Sequence, residues 1–217
     1  MKILIACEES QTVCKAFRKL GHEAYSCDTL LCSGGHPEWH IHGDVLEVLK
    51  TGVCYLETGK VIHIMKWDMM IAHPPCTYLS NAGARFLYPK GELNIDRKKF
   101  GDIAALFFMN LYNSDIPLIC IENPIPSKVY DLPKYSQIIQ PYEHGHPYQK
   151  RTCLLLKGLP ELKPTNIVEG IQSTKIAGNW FNKGGIERQR NRAKTFPGIA
   201  KAMAEQWRLN DERKKKV

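Results

Sequence analysis

The sequence is built around one central segment, which reads Asp68-Met69-Met70-Ile71-Ala72-His73-Pro74-Pro75-Cys76-Thr77-Tyr78-Leu79-Ser80-Asn81. Residues 69–72 are a short apolar run, typical of a strand that is buried on both faces. Two prolines then end the strand, because proline has a fixed φ and donates no ladder hydrogen bond. Cys76 therefore follows a rigid turn at the carboxyl end of a central strand, where open α/β sheets bind their ligands. That position suits a nucleophile.

The flanking segments predict an α/β fold. Residues 2–6 form a first predicted strand, residues 11–20 an amphipathic helix with Ser10 as its N-cap, and residues 22–27 a second strand. This βαβ opening is typical of doubly wound folds. We expect a doubly wound, Rossmann-like fold with a mostly parallel sheet and antiparallel edge strands. The remaining predictions are a hairpin at 53–65, strands at 117–121, 137–140 and 152–156, and helices at 97–112 and 197–207.

Composition predicts a single soluble domain. The chain has 217 residues, of which 43% are hydrophobic and 24% are charged, as in ordinary globular proteins. We expect one domain over residues 1–209 and a disordered basic tail over 210–217. No apolar run approaches the length of a membrane span, and the N-terminus turns acidic too soon for a signal peptide. We therefore expect a cytoplasmic monomer whose eight scattered cysteines are reduced.

The charge is strongly basic. The formal net charge is +8 and the pI is about 9.0, with basic residues concentrated late in the chain, as in residues 188–192 and in the tail. This excess indicates a polyanionic partner such as nucleic acid.

Two motifs resemble those of the cytosine-C5 DNA methyltransferases. Pro74-Pro75-Cys76-Thr77-Tyr78-Leu79-Ser80 resembles the Pro-Cys loop of that family, and Ile121-Glu122-Asn123-Pro124 resembles its Glu-Asn-Val motif, with proline in place of valine. The resemblance implies S-adenosylmethionine as cofactor, DNA as partner, and attack by Cys76 on C6 of a flipped-out cytosine. Glu122 supplies a carboxyl group to N3 of that base, and we expect it to be protonated because burial at a strand end raises a carboxyl pKa.

The resemblance also assigns Arg151 to the catalytic site. Gln149-Lys150-Arg151 begins like the Gln-x-Arg-x-Arg motif of the family, although the second arginine falls at Cys153. Residues 157–194, where the family carries a target-recognition domain, are too few for an extensive major-groove reader. We expect a reduced recognition segment there, low or short sequence specificity, and a substrate such as single-stranded DNA.

The predicted cofactor residues are Glu8, Ser10, Gln11, Asp28, Asp44 and Pro74. Asp28 follows the second strand, where acidic residues accept hydrogen bonds from a ribose diol, and Gly43-Asp44 resembles a family motif near the adenine. The first turn, Cys7-Glu8-Glu9-Ser10-Gln11, lacks the glycines of the family motif Phe-x-Gly-x-Gly. We expect the first helix amides to hold the carboxylate of the cofactor and Glu8 to hold its ammonium group.

Three alternatives stay open. His73-Pro74-Pro75-Cys76 shares two prolines with the Asp/Asn/Ser-Pro-Pro-aromatic motif of the exocyclic amino methyltransferases, but it lacks the polar first residue and the aromatic ring. The glycine-poor first turn favours a catalytically inactive relative that only binds nucleic acid. Five potential zinc ligands lie close together, but their spacing fits no compact zinc knuckle, and we assign no metal site; they are Cys27, Cys32, His36, His40 and His42.

Overall fold

The structure is a computed structural model that describes residues 1–170, 172–173 and 194–208. The strands of these residues are β1 (Lys2–Ala6), β2 (Glu23–Asp28), β3 (His40–His42), β4 (Val53–Tyr55), β5 (Val61–His63), β6 (Met69–Ala72), β7 (Leu118–Asn123), β8 (Gln137–Ile139), β9 (Tyr148–Gln149), β10 (Thr152–Lys157) and β11 (Gln172–Ser173). Their α-helices are α1 (Thr12–Lys19), α2 (Val45–Thr51), α3 (Ile95–Tyr112) and α4 (Pro197–Gln206). Single 3-10 segments lie at Pro37–Trp39, Asn81–Phe86, Pro89–Gly91 and Pro141–Glu143.

The central sheet has seven strands in the order β3-β2-β1-β6-β7-β10-β8. The first five are parallel to their neighbours, whereas β10 runs antiparallel to both β7 and β8. The prediction of a doubly wound, mostly parallel sheet with antiparallel pairing towards one edge is confirmed. The chain order reverses between β1 and β6, and such a switch point opens a crevice at the carboxyl ends of the strands.

Alternating side chains of the central strands form two hydrophobic cores. Ile3 and Met69 point to one face of the sheet, where α1 and α4 pack. Leu4 and Met70 point to the other face, where α2 and α3 pack. Because both faces are covered, the central strands need apolar residues at every position, which explains the short apolar runs in the sequence.

The predicted hairpin is also confirmed, since β4 and β5 pair antiparallel. No helix in the described ranges is long and apolar enough to cross a membrane. The basic tail predicted for 210–217, the arginine-rich residues 188–192 and most of the predicted recognition segment at 157–194 lie outside the described residues. The domain boundaries and the monomeric state stay predictions.

Candidate active site

The Pro-Pro-Cys turn begins where β6 leaves the sheet. The backbone N–H of His73 still donates to the carbonyl of Ala6 in β1, at 2.9 Å. Pro74 is buried behind it, and the carbonyl of Cys76 accepts a hydrogen bond from the Ser80 amide at 3.0 Å, which closes the next turn. Cys76 is half-buried. The sequence prediction of a thiol on a tight turn at the carboxyl end of a central strand is therefore correct.

The two motif loops lie side by side. The amide of Asn81 donates to the carbonyl of Ile125 at 2.8 Å, and the amide of Ser127 donates to the carbonyl of Leu79 at 2.7 Å. The loop after Cys76 is thus paired with the loop after the Glu-Asn-Pro motif. This pairing fixes the thiol turn and the end of β7 in one unit at the same edge of the sheet.

Glu122, in β7, is the centre of a buried polar cluster. Its Oε2 lies 2.8 Å from Nδ1 of His73 and accepts a 3.4 Å hydrogen bond from the Thr195 hydroxyl. Its Oε1 lies 3.9 Å from the ammonium nitrogen of Lys150. The side chains of Glu122 and His73 are only 13% and 9% exposed, so each group needs the other to offset its desolvation.

This cluster reverses the charge state that we expected for Glu122. Burial alone raises the pKa of this carboxyl, but the His73 hydrogen bond, the charges of Lys150 and His73, and the Thr195 hydroxyl outweigh it and lower the pKa to about 2. Burial lowers the pKa of His73, but Glu122 and the nearby Glu8 raise it above its usual value. The prediction of a neutral Glu122 is therefore wrong, because it omitted the His73 side chain.

The other seven cysteines are poor nucleophiles. Burial raises the pKa of each thiol, so each stays protonated at neutral pH; they are Cys7, Cys14, Cys27, Cys32, Cys54, Cys120 and Cys153. The structure describes all eight cysteines and joins none in a disulfide. Cys76 is thus the thiol that combines partial exposure with a position beside the Glu122 cluster.

Lys150, rather than Arg151, faces Glu122. The Lys150 ammonium lies 3.9 Å from the carboxylate and 5.9 Å from the ring centre of Phe196. The Arg151 side chain is exposed. The two residues stand next to each other in an extended segment, where side chains alternate between opposite sides. The structure therefore places Lys150, and not Arg151, beside the Glu122 carboxylate.

The first turn takes left-handed backbone conformations without glycine. Cys7 and Gln11 have φ values of 58° and 57°, a region that non-glycine residues rarely occupy. Strained positions of this kind cluster at functional sites. The turn thus enters the left-handed region without any glycine.

Glu8 caps α1, and this corrects the prediction for Ser10. The carboxylate of Glu8 accepts from the amides of Val13 at 2.7 Å and Cys14 at 3.2 Å. The N-cap residue is Gln11, whose side chain makes no cap hydrogen bond, and the Ser10 hydroxyl instead contacts the Thr12 hydroxyl at 3.2 Å. These helix amides are therefore occupied by the protein's own carboxylate.

The Gln11 side chain has a structural role. Its amide nitrogen donates to the Ser26 hydroxyl at 3.2 Å and to the His36 carbonyl at 2.8 Å, while its oxygen accepts from the His36 amide at 3.0 Å. A Cβ on Gly34 would lie 2.5 Å from the Gln11 side chain. Gln11 thus holds the loop after β2 against the first turn, and its side-chain amide is hydrogen-bonded within the protein.

Asp28 and Asp44 lie at the same end of the sheet as Glu8. Both carboxylates stand near the Cys7 thiol and, with its burial, raise the pKa of that thiol to about 12. Asp28 accepts from the Leu30 amide at 3.0 Å, and Asp44 caps α2 through the Leu46 amide at 2.9 Å. Within the described residues these hydrogen bonds use only Oδ1 of each aspartate, and both side chains lie at the end of the sheet where the cofactor was predicted.

The described residues contain no group of three side chains placed to hold a metal ion. Among the five residues of the zinc alternative, His40 is engaged by the Ser26 hydroxyl at 2.9 Å and the Leu30 carbonyl at 2.9 Å.

A cleft of about 730 Å³ lies beside Trp67, Asp68 and Pro117. It sits at the amino ends of β6 and β7, opposite the thiol turn, and so is a separate feature.

Fold and site together define a class: a doubly wound α/β protein with a half-buried thiol beside a buried carboxylate–imidazole pair at the carboxyl edge.

No family model matches the chain, and no curated protein matches it. Among solved structures, a candidate DNA modification methyltransferase encoded within an E. coli prophage aligns at 11% identity and a TM-score of 0.44, covering 77% of this chain and 52% of that one. The Entamoeba histolytica methyltransferase EhMeth aligns at 13% identity and a TM-score of 0.42, covering 77% and 57%. The chain spans about half the length of either structure.

Proposed function

We propose that this chain is an S-adenosylmethionine-dependent methyltransferase that methylates C5 of cytosine in DNA through Cys76. The observation that supports the proposal best is the pairing of the thiol turn with the loop after Glu122. Both motifs of the sequence resemblance meet at the carboxyl edge of the sheet: the thiol turn follows β6, which borders the switch point, and Glu122 lies in β7, one strand further. Open α/β sheets place their reactive groups there.

The chemistry requires a soft nucleophile, because C5 of cytosine does not attack a methyl group unaided. The Cys76 thiolate forms a bond to C6, which moves the C5–C6 π electrons to C5. The C5 electron pair then forms the new bond to carbon. S-Adenosylmethionine, when bound, would supply the electrophilic methyl group, whose bond to the sulfonium sulfur would break as the bond to C5 forms. Loss of the C5 proton to solvent and breakage of the C6–S bond restore the aromatic ring and the thiolate.

The Glu122–His73 pair supplies the proton that stabilises the attacked ring. Transfer of one proton from Nδ1 of His73 to the carboxylate, across 2.8 Å, breaks an N–H bond and forms an O–H bond. It leaves both groups neutral, and the net charge of the pair is unchanged. The neutral carboxyl then donates to N3 of the base. Glu122 thus acts as the acid although it rests as a carboxylate.

The residues present fit the donor groups of the cofactor. Asp28 and Asp44 place two carboxylates along the ends of β2 and β3, and their oxygens suit the ribose hydroxyls and the adenine amino group of S-adenosylmethionine, whose overall charge is positive. Glu8 is buried, and both of its oxygens accept from α1 amides, so the predicted contact of Glu8 with the ammonium group is not part of this fit. The first helix amides are not part of this fit, because Glu8 occupies those of Val13 and Cys14.

Cofactor binding is tested by calorimetry with S-adenosylmethionine. The variant Asp28→Ala should weaken binding by about 1.5–3 kcal/mol, the usual worth of hydrogen bonds to a charged group. Asp115→Ala is the matched control, because Asp115 is an exposed carboxylate that precedes β7, at the other end of the sheet. An unchanged affinity of Asp28→Ala, or no binding by the unmodified protein, would contradict the cofactor assignment.

A second candidate function is methylation of an exocyclic amino group. The resting Glu122 carboxylate favours it, because an anion can take a proton from an amino group without prior transfer from His73. Product analysis separates the two. After incubation of DNA with the protein and deuterium-labelled S-adenosylmethionine, nucleoside mass spectrometry should show labelled 5-methylcytosine. Labelled N4-methylcytosine or N6-methyladenine would replace the C5 assignment with the amino one.

The nucleophile is tested in the same assay. Cys76→Ser should abolish the product, because an alcohol is far less ionised than a thiol near neutral pH. Cys32→Ser is the matched control, since Cys32 is also half-buried but lies in the loop after β2. Full activity of Cys76→Ser would exclude covalent attack.

A further inference from the structure

The segment after Cys76 carries a surface cluster of rings and arginines, which we call the ring–arginine surface: Tyr78, Arg85, Phe86, Arg97 and Phe100. Arg85, Phe86 and Phe100 are exposed, whereas Tyr78 and Arg97 are half-buried. Tyr78 and Phe100 stack with ring centres 5.5 Å apart and planes at 25°. The Arg97 guanidinium lies 5.0 Å from the Tyr78 ring centre and 5.3 Å from that of Phe86. Arg85 lies over Phe86 at 4.6 Å. Two cations are therefore interleaved with three aromatic rings.

Two of the three rings are exposed to solvent rather than packed in the core. Phe86 and Phe100 are 51% and 53% exposed. On α3 the helical spacing predicts an inward apolar face that includes Ile103 and Leu106, yet both are more than 60% exposed. Nearly half of the large apolar side chains that are exposed in the described residues fall between 86 and 106. A concentration of this kind marks a contact surface.

The ring–arginine surface is continuous with the candidate active site. Arg97 donates from Nη2 to the carbonyl of Thr77, the residue after Cys76, at 2.9 Å. Gly83 permits this approach, because a Cβ there would lie 2.8 Å from the Thr77 carbonyl oxygen and 2.9 Å from Arg97 Nη2. A strand of nucleic acid with one base at Cys76 would therefore run directly onto the rings.

Charge selects the partner. Residues 85–102 carry five basic and three acidic side chains, and Lys98 already pairs with Asp102. Aromatic faces combined with arginine form the usual platform on which unpaired bases stack. A protein–protein interface would not require arginine side chains stacked on the rings. Stacking also accepts every base, which agrees with the low sequence specificity predicted from the short segment at 157–194.

We infer that the ring–arginine surface stacks the unpaired bases beside the target base, so that the substrate of this chain is single-stranded DNA. The inference rests on the proposed function for the identity of the target base. The stacking itself is a binding property that is measured without catalysis.

The test is fluorescence anisotropy of the full chain with three labelled probes: a single-stranded oligodeoxynucleotide, the same strand with abasic sites in place of bases, and its duplex. The single strand should bind more tightly than both other probes, because the abasic strand keeps the phosphates but has nothing to stack. Phe86→Ala and Phe100→Ala should each weaken single-strand binding roughly 5- to 150-fold. Phe100→Trp should restore it. Met65→Ala, a truncation of an exposed apolar side chain outside residues 86–106, should change it little.

Equal affinity for the abasic strand, tighter binding of the duplex, or an unchanged Kd in both alanine variants would overturn the inference. So would light scattering that shows the unmodified chain self-associating and Phe100→Ala monomeric, because the surface would then be a protein interface. Circular dichroism of each variant confirms its fold. Base-dependent binding without methyl transfer would support the surface and contradict the proposed function, whereas methyl transfer with base-independent binding would do the reverse.

Discussion

Replacing His73 by glutamine removes the positive charge opposite Glu122 but keeps a side chain that can hydrogen-bond. A carboxyl whose pKa is about 2 instead of 4.5 favours its ionised form in the folded protein by about 3 kcal/mol, at 1.4 kcal/mol per pH unit. Breaking a buried ion pair typically costs 3–5 kcal/mol. Lys150 and Thr195 keep part of the stabilisation, so we expect His73→Gln to lower the free energy of unfolding by about 2–3 kcal/mol.

The pH dependence of this loss follows from the two shifts. The pKa of Glu122 is depressed in the folded protein, so its contribution is full above pH 4.5 and disappears as the pH falls towards about 2. The pKa of His73 is raised, so its contribution is full below pH 6.5 and disappears as the pH rises through the raised value. The stability difference between the unmodified chain and His73→Gln should therefore be largest between pH 4.5 and 6.5.

Urea unfolding, followed by far-ultraviolet circular dichroism at several pH values, measures this difference. The matched control is His36→Gln, because His36 pairs with Glu38 at 3.1 Å but both side chains are largely exposed, at 38% and 50%. An exposed pair contributes at most about 1 kcal/mol. A difference for His73→Gln that is constant from pH 4 to 8, or no larger than that of the control, would refute the buried ion pair.

Two further predictions concern packing and catalysis. Gly198→Ala should lower the Tm sharply, because a Cβ there would lie 1.8 Å from a backbone carbonyl oxygen. The control Gly43→Ala should change the Tm little, because the space around its Cβ is open. Equal Tm values of the two variants would contradict the close approach at Gly198. Lys150→Met should reduce the rate of methyl transfer about 10-fold or more, whereas Arg151→Met should leave it nearly unchanged, because only Lys150 faces Glu122. The rates are measured in single-turnover assays. A greater loss of rate in Arg151→Met than in Lys150→Met would assign the catalytic role to Arg151.

The sequence was sufficient for the sheet and for the thiol turn. Apolar runs with prolines or glycines at their ends predicted β1, β6 and β7 within two residues, because a strand buried on both faces needs an uninterrupted apolar pattern. The place of Cys76 followed from the same reasoning, since the end of such a strand meets the crevice of an open sheet.

The charge state of Glu122 could not be predicted from the sequence pattern. His73 lies 49 positions away and Thr195 lies 73 positions away in the chain. Because both contacts are long-range, no local sequence spacing predicts either of them. The capping of α1 failed for a related reason, because Glu8 reaches the helix amides from before the turn and no N-cap rule covers that geometry. Lys150 was within reach of prediction, since side-chain alternation allows only one of two neighbouring basic residues to face the carboxylate.

Helix periodicity predicted where α3 lies but not which of its residues are covered. The apolar positions of α3 recur at helical spacing, yet Phe108 and Leu111 are buried while Ile103 and Leu106 are exposed. The neighbouring elements decide which part of an apolar stripe is covered. Exposed apolar residues in a helix that packs on a sheet are therefore a functional signal that only the structure reveals.

The central claim is tested most directly by trapping the covalent intermediate. A single-stranded oligodeoxynucleotide that contains 5-fluorocytosine is incubated with the protein and S-adenosylmethionine, and the adduct is digested and located by mass spectrometry. After methyl transfer the C5 substituent must leave as a cation, which fluorine cannot do, so the C6–S bond persists. We expect one adduct, on Cys76, that forms far more slowly in Glu122→Gln. An adduct on another cysteine, or none while methyl transfer to ordinary DNA proceeds, would contradict the assignment of Cys76 as the nucleophile.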